Sequence, residues 1–293
     1  MRRRLAAASV AALAAAPLQA EVFPTPSQAG WDRYRGPAYL ESGITLSYVT
    51  FGDLAAEPVI LLHGYTDNSR SWSLVGPWLE GFHVEALDLR GHGSSQVVAC
   101  CYGLDQLAHD VVLFMDEVGL EKAHVVGHSL GAMTAGVLAA TYPERVDRLV
   151  LISAALSVPE ASGQWLWENV PALEHPIDPE SQFMLDWYWN PSPVEEDFLA
   201  RERSESAARP PEVWMGVLTA LSMTDWTTLA GRISAPTLIM WGDQDGLFGA
   251  ETQEALRGAL PGARFETFAG HGHNMFWEVP ERAGTMIAEF LSE

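Results

Sequence analysis

Gly127-His128-Ser129-Leu130-Gly131 sets a serine between two glycines directly after the apolar run Ala123-His124-Val125-Val126. A strand that reverses sharply into a helix holds the residue at the bend in strained torsions. It needs small residues two positions to either side so that strand and helix can approach. The helix expected next runs from Leu130 to Tyr142, rich in Ala, Leu and Met, and stops at Pro143, whose ring cannot continue a helix interior. The serine hydroxyl then stands at the end of a sheet.

A serine hydroxyl is a poor nucleophile at neutral pH, so such a bend calls for a base to take its proton and an acid to orient that base. The run Pro236-Thr237-Leu238-Ile239-Met240-Trp241 reads as a buried strand and ends in Gly242-Asp243-Gln244-Asp245. Asp245 is the expected acid; Asp243 competes, with capping of the turn as its alternative role. The next strand-like run, Arg264 to Phe268, leads into Ala269-Gly270-His271-Gly272-His273, and His273 is the expected base. Nucleophile, acid and base thus follow in the order Ser, Asp, His, each at a strand end. His271 and His273 have no Cys or carboxylate partner at ligand spacing, so no metal is expected, and the chemistry needs no organic cofactor.

From about Ile44 to the C-terminus the chain resembles the α/β-hydrolase superfamily, in its group of serine esterases, lipases and C–C hydrolases with a helical cap. Val59-Ile60-Leu61-Leu62-His63-Gly64-Tyr65 resembles the family's third strand and its His-Gly turn. The resemblance implies an oxyanion hole made of the backbone N–H groups of Tyr65 and Leu130. Asp88-Leu89-Arg90-Gly91-His92-Gly93-Ser94 resembles the turn after strand four and is read as mainly structural. Gly272-His273-Asn274-Met275-Phe276-Trp277-Glu278-Val279-Pro280 resembles the catalytic-histidine segment, in which four residues separate the histidine from Glu-x-Pro; that spacing selects His273 over His271. The family also places its acid three residues after the glycine, which selects Asp245 over Asp243. The implied fold is α/β: a mostly parallel central sheet flanked by helices, with a helical cap inserted after strand six.

Strand-like and helical runs alternate from Ile44 to Phe290, as a parallel sheet covered by helices requires, but the alternation breaks between about Leu156 and Gly231. The expected division is a core over residues 21–155 and 231–293 and a cap over residues 156–230. The interrupted stretch holds Trp165, Trp167, Trp187, Tyr188, Trp189, Trp214 and Trp226 among proline-rich turns. Trp165, Trp187, Trp189 and Trp214 are the expected lining of an apolar pocket; the alternative is that these rings only glue short helices to the core.

Met1-Arg2-Arg3-Arg4 followed by the small apolar stretch Leu5 to Pro17 and Leu18-Gln19-Ala20 reads as a secretory signal peptide over residues 1–20. The expected location is secreted or periplasmic, with no stable membrane association. Without that segment the chain keeps 14 basic and 38 acidic residues, a formal charge of −24. Nucleic acid is excluded as a partner, because phosphate binding needs a basic face and Lys122 is the only lysine. Cys100 and Cys101 are adjacent, so an ordinary loop-closing bridge is impossible, and a vicinal disulfide is favoured over two thiols or an intermolecular link.

The expected activity is hydrolysis of small esters with an apolar acyl or alcohol part through an acyl-enzyme on Ser129. A lactonase, a C–C bond hydrolase or a cofactor-free haloperoxidase would use the same three residues. A ligand-binding protein that keeps the pocket without turnover is the alternative from another class.

Overall fold

Strands buried on both faces have no reason to alternate polar with apolar residues, and they read as continuous apolar runs. Such runs form the centre of the sheet in the computed structural model, which describes residues 21–293. The expected signal peptide, residues 1–20, lies outside the described residues. Nine strands make up the sheet: β1 (Val22–Phe23), β2 (Arg35–Tyr39), β3 (Thr45–Asp53), β4 (Pro58–Leu62), β5 (His83–Asp88), β6 (Ala123–His128), β7 (Val146–Ile152), β8 (Thr237–Gly242) and β9 (Arg264–Phe268). Their order is β1-β3-β5-β4-β6-β7-β8-β9, with β2 also paired to β3. From β5 to β9 every neighbouring pair is parallel; β3 runs antiparallel to β5, β1 and β2. β1 precedes the family's usual set, so strand six of the sequence reading is β7.

The parallel strands are joined by α1 (Leu104–Glu117) and α2 (Leu130–Thr141) in the first half. Between β7 and β8 the chain leaves the sheet for α3 (Glu160–Asn169), α4 (Gln182–Trp187), α5 (Glu196–Ala207), α6 (Pro211–Ser222) and α7 (Thr227–Ala230). The core resumes with α8 (Ala250–Ala259), α9 (Met275–Glu278) and α10 (Pro280–Leu291). α2 is buried along nearly its whole length, which explains its lack of a polar face. A Cβ on Gly136 would stand 2.6 Å from the Trp226 ring, so the absence of a side chain there lets the returning cap segment close onto α2. Trp226 then donates its Nε1–H to the Ala155 carbonyl at 2.8 Å.

The segment before Ile44 belongs to the core as well. Trp31 is fully buried and donates to Ser69 Oγ at 3.1 Å, while Arg35 pairs with the buried Asp88 at the end of β5. Arg90 makes a two-pronged pair with Asp110 of α1, at 2.5 and 2.6 Å, both groups buried. Cys100 and Cys101 are joined as a vicinal disulfide on the loop that follows.

The cap grips the core through the loop after β4. Arg70 and Asn68 of that loop hold Glu205 of α5 at 2.9 and 2.8 Å, and Ser206 donates to Thr66 at 2.8 Å. Glu202, one turn earlier, is fully buried. Its Oε2 accepts the Ser71 hydroxyl at 3.2 Å, and its Oε1 has no partner among the described residues. Burial, and after it the nearby Asp67 and Glu205 carboxyls, push the Glu202 pKa well above the glutamate value. Folding therefore takes up a proton at Glu202. Stability from this group is complete below the unfolded glutamate pKa and declines as pH rises toward the raised folded one. Glu202→Gln, which needs no proton, is expected to melt higher than the parent at alkaline pH, by about 2–4 °C for each kcal/mol recovered. Calorimetry should show the difference narrowing toward about pH 4, where both states of the parent carry the proton.

Candidate active site

The bend between β6 and α2 is as tight as the sequence requires. Ser129 sits at φ 51 and ψ −115, a left-handed conformation that a side-chain-bearing residue adopts only under constraint. Its N–H is held by the Ile152 carbonyl at 2.9 Å. A Cβ on Gly127 would meet the Gly131 carbonyl oxygen at 2.3 Å, and one on Gly131 would meet the Leu62 carbonyl oxygen at 2.1 Å. Leu130 opens α2, so its N–H has no acceptor within the helix and remains available at the bend.

The turn after β4 stands beside it. His63 is fully buried and bridges two strand ends: its Nδ1–H donates to the Gly64 carbonyl at 2.8 Å, and Nε2 accepts the Leu89 N–H at 2.9 Å. Burial lowers its pKa to about 4, so it holds the turn as a neutral ring. Tyr65, which follows, lines the cavity in front of Ser129, and its hydroxyl donates to the Trp214 carbonyl of α6.

Asp245 and His273 meet at the ends of β8 and β9. Asp245 Oδ1 accepts the N–H groups of Leu247 and Phe248 at 2.8 and 2.9 Å, and Oδ2 accepts His273 Nδ1–H at 2.8 Å. Both oxygens are thus fixed, and the second Nε2 edge of the imidazole is left for another partner. Asp243 takes the turn-capping role, accepting the Gly270 N–H at 2.7 Å on an exposed carboxyl. His271 pairs with the buried Glu278 carboxylate at 3.0 Å, whose other oxygen accepts the Gly272 N–H at 2.8 Å. The His273 carbonyl accepts from Ser153 Oγ at 2.7 Å and from His128 Nε2–H at 3.1 Å, tying the histidine loop to the ends of β6 and β7.

Ser129 and His273 open into one cavity of about 390 Å³. Trp165, Trp187 and Trp189 line it, as the sequence reading expected, whereas Trp214 does not. Trp214 is fully buried on α6 and packs edge-on behind Tyr65 and Trp187, with ring centroids 5.4 and 6.3 Å away. Its helix turns it toward the cap interior rather than the opening. Trp165 and Trp187 are parallel to within 5°, and Phe183, outside the lining, stacks within 10° of both. Trp189 stands at the mouth with 66% of its surface exposed. The cavity also holds Asp67, Tyr188 and His128, none of which sequence reasoning placed there. Asp67 lies four residues after His63, and a carboxylate in a turn ordinarily reads as a cap; a histidine at the end of a buried strand ordinarily reads as packing.

A family model described as the alpha/beta hydrolase fold matches residues 57–280. A 2-hydroxy-6-oxononadienedioate/2-hydroxy-6-oxononatrienedioate hydrolase of Paraburkholderia phymatum is 29% identical, over 87% of this chain and 94% of the relative. Lipase 3 of a Moraxella species is 28% identical, over 80% of this chain and 77% of its own. Among solved structures, a hydrolase from Pseudomonas aeruginosa superposes with a TM-score of 0.77 at 25% identity, covering 88% of this chain and 98% of that one.

The strain at the bend is measurable by itself. Ser129→Gly and Ser129→Ala both remove the hydroxyl, but only glycine relaxes the positive φ. Urea unfolding is expected to find the glycine variant more stable than the alanine variant by about 1 kcal/mol. The opposite ranking would mean that the bend is unstrained.

Proposed function

The chain belongs to the alpha/beta hydrolase fold family, and on that premise we propose that it is a serine hydrolase that cleaves carboxylic esters with an apolar acyl or alcohol part. Ser129 attacks the ester carbonyl while His273 takes its proton, and the N–H groups of Tyr65 and Leu130 stabilise the oxyanion. Asp245 holds the imidazole in the tautomer that leaves Nε2 free and compensates its transient charge. The alkoxide departs with the proton from His273, and a water activated by the same ring hydrolyses the acyl-enzyme. The observation that carries this reading is the 2.8 Å contact of Asp245 with His273 at a cavity shared with a serine on a strained bend.

Cleavage of a C–C bond by the same residues is the second reading, since one relative is named for it. Its named substrate is a dicarboxylate. Among the described residues no lysine or arginine lines this cavity, whereas Asp67 and Asp186 do. A carboxylate brought there would lose its hydration without gaining a counter-cation, a cost of several kcal/mol. A neutral ester carries no such cost.

The mature enzyme acts outside the cytoplasm after loss of residues 1–20. Exported protein is expected to begin at Glu21, which N-terminal sequencing would read; retention of Met1 would overturn the export reading.

Kinetics on p-nitrophenyl esters from acetate to palmitate test the reaction itself. The cavity lies near the small end of ligand pockets, so short and medium acyl groups are expected to outrun palmitate. Ser129→Ala and His273→Ala should each lose at least about 10³-fold in kcat, and Asp245→Asn about 10³–10⁴-fold. An active Ser129→Ala protein would rule out the acyl-enzyme route.

A further inference from the structure

The cavity contains an acid that the Ser129–His273–Asp245 group does not use. Asp67 lies in the turn after β4, lines the cavity beside Ser129 and His273, and is 5% exposed. Its Oδ1 accepts the hydroxyl of Tyr188, from the end of α4, at 2.7 Å. Its Oδ2 stands 2.8 Å from the point a Cβ on Gly64 would occupy, and His128 Nδ1 stands 2.9 Å from the same point. The two atoms therefore flank one gap against the Gly64 backbone. His128 uses its Nε2–H on the His273 carbonyl, which leaves Nδ1 as a buried lone pair with no partner among the described residues. Burial lowers the His128 pKa well below its usual value, so that ring is neutral.

Among the described residues no lysine or arginine pairs with the Asp67 carboxyl. Arg70, three residues on, is engaged by Asp32 and Glu205. Glu202 approaches from α5 as a second buried acid; the Asp67 charge raises its pKa further, so Glu202 stands there in its protonated form. Tyr188 from the cap and the Gly64 backbone favour the anion, as does His273 from the loop after β9 when it is protonated. Burial outweighs them and moves the Asp67 pKa up to about 7. An active-site acid held neutral by apolar burial can donate a hydrogen bond.

We propose that Asp67 acts as a neutral carboxylic acid whose O–H donates from Oδ2 to an uncharged oxygen of the substrate beside the scissile carbonyl. It thereby selects esters whose acyl chain carries an ether or carbonyl oxygen near the ester group. This rests on the esterase reading above. The proton stays on Asp67 and no bond to it breaks; the residue binds and orients. Once ionised, the carboxyl offers only lone pairs, which repel the same substrate oxygen. The donor form is populated below about pH 7 and lost above it.

The discriminating pair is p-nitrophenyl methoxyacetate and p-nitrophenyl butyrate, which differ by one ether oxygen in place of a methylene. Titration of His273 affects both esters alike and cancels in the ratio of their kcat/KM values. For the parent enzyme that ratio is expected to be about tenfold higher near pH 6 than near pH 8.5. Asp67→Ala should hold the lower ratio at both pH values. Asp67→Asn, with a fixed N–H donor, should recover part of the preference and show no pH dependence. A parent ratio that does not change with pH, or one that Asp67→Ala leaves intact, overturns the proposal and would mean that the Asp67 proton serves only His128. If neither ester is turned over, the esterase reading fails separately. The preference is then read as the ratio of binding constants for the two esters on Ser129→Ala, from quenching of the cavity tryptophans, with the same expected and contrary results.

Discussion

No side chain fits at position 131. A Cβ there would stand 2.1 Å from the Leu62 carbonyl oxygen, and the equivalent atom at 127 would stand 2.3 Å from the Gly131 carbonyl oxygen. This contact of bare backbones lets α2 start directly over the ends of β4 and β6. It is the reason Ser129 takes a left-handed conformation and projects from the sheet. It also brings the first N–H of α2 next to the His63-Gly64-Tyr65 turn, so the N–H groups proposed for the oxyanion and the proposed nucleophile share one origin. The parallel sheet does the rest, because β6, β8 and β9 all end on the same edge and deliver Ser129, Asp245 and His273 to it.

Burial governs the electrostatics around that edge. His63 and His128 are held neutral by desolvation, and Asp67 and Glu202 are pushed toward their neutral forms. The cap supplies much of this desolvation: α5 lies over the loop after β4, and Tyr188 stacks at 12° to Trp277 while its hydroxyl seals Asp67. In such a low-dielectric pocket, fixed N–H dipoles aimed at a developing oxyanion act more strongly than they would in water. The same desolvation works against a charged substrate, and among the described residues the lining carries no lysine or arginine to offset it.

The central strands were legible because burial on both faces writes itself as an unbroken apolar run, and the bend because steric exclusion demands glycine at two fixed positions. Asp245 and His273 followed from their places at strand ends, and the 2.8 Å contact brings them together. The pocket was legible only in composition. Which tryptophan faces the opening depends on how short, proline-bounded helices pack, so Trp214 could not be told from Trp187 before the cap was seen. Asp67 was missed for a related reason: a carboxylate in a turn ordinarily caps backbone, and only tertiary burial beneath Tyr188 distinguishes this one. The N-terminal β1 and β2 carry little sequence signal because they pair at the sheet margin with β3 alone.

The central claim is that Ser129 is activated by His273 and Asp245 within this cavity. The most direct measurement is covalent labelling with a fluorophosphonate, followed by peptide mass mapping, of the parent protein beside His273→Ala. The account predicts a single adduct on Ser129 that forms rapidly in the parent and is nearly absent from the variant. Labelling at another residue, or at Ser129 with equal speed in both proteins, would contradict it.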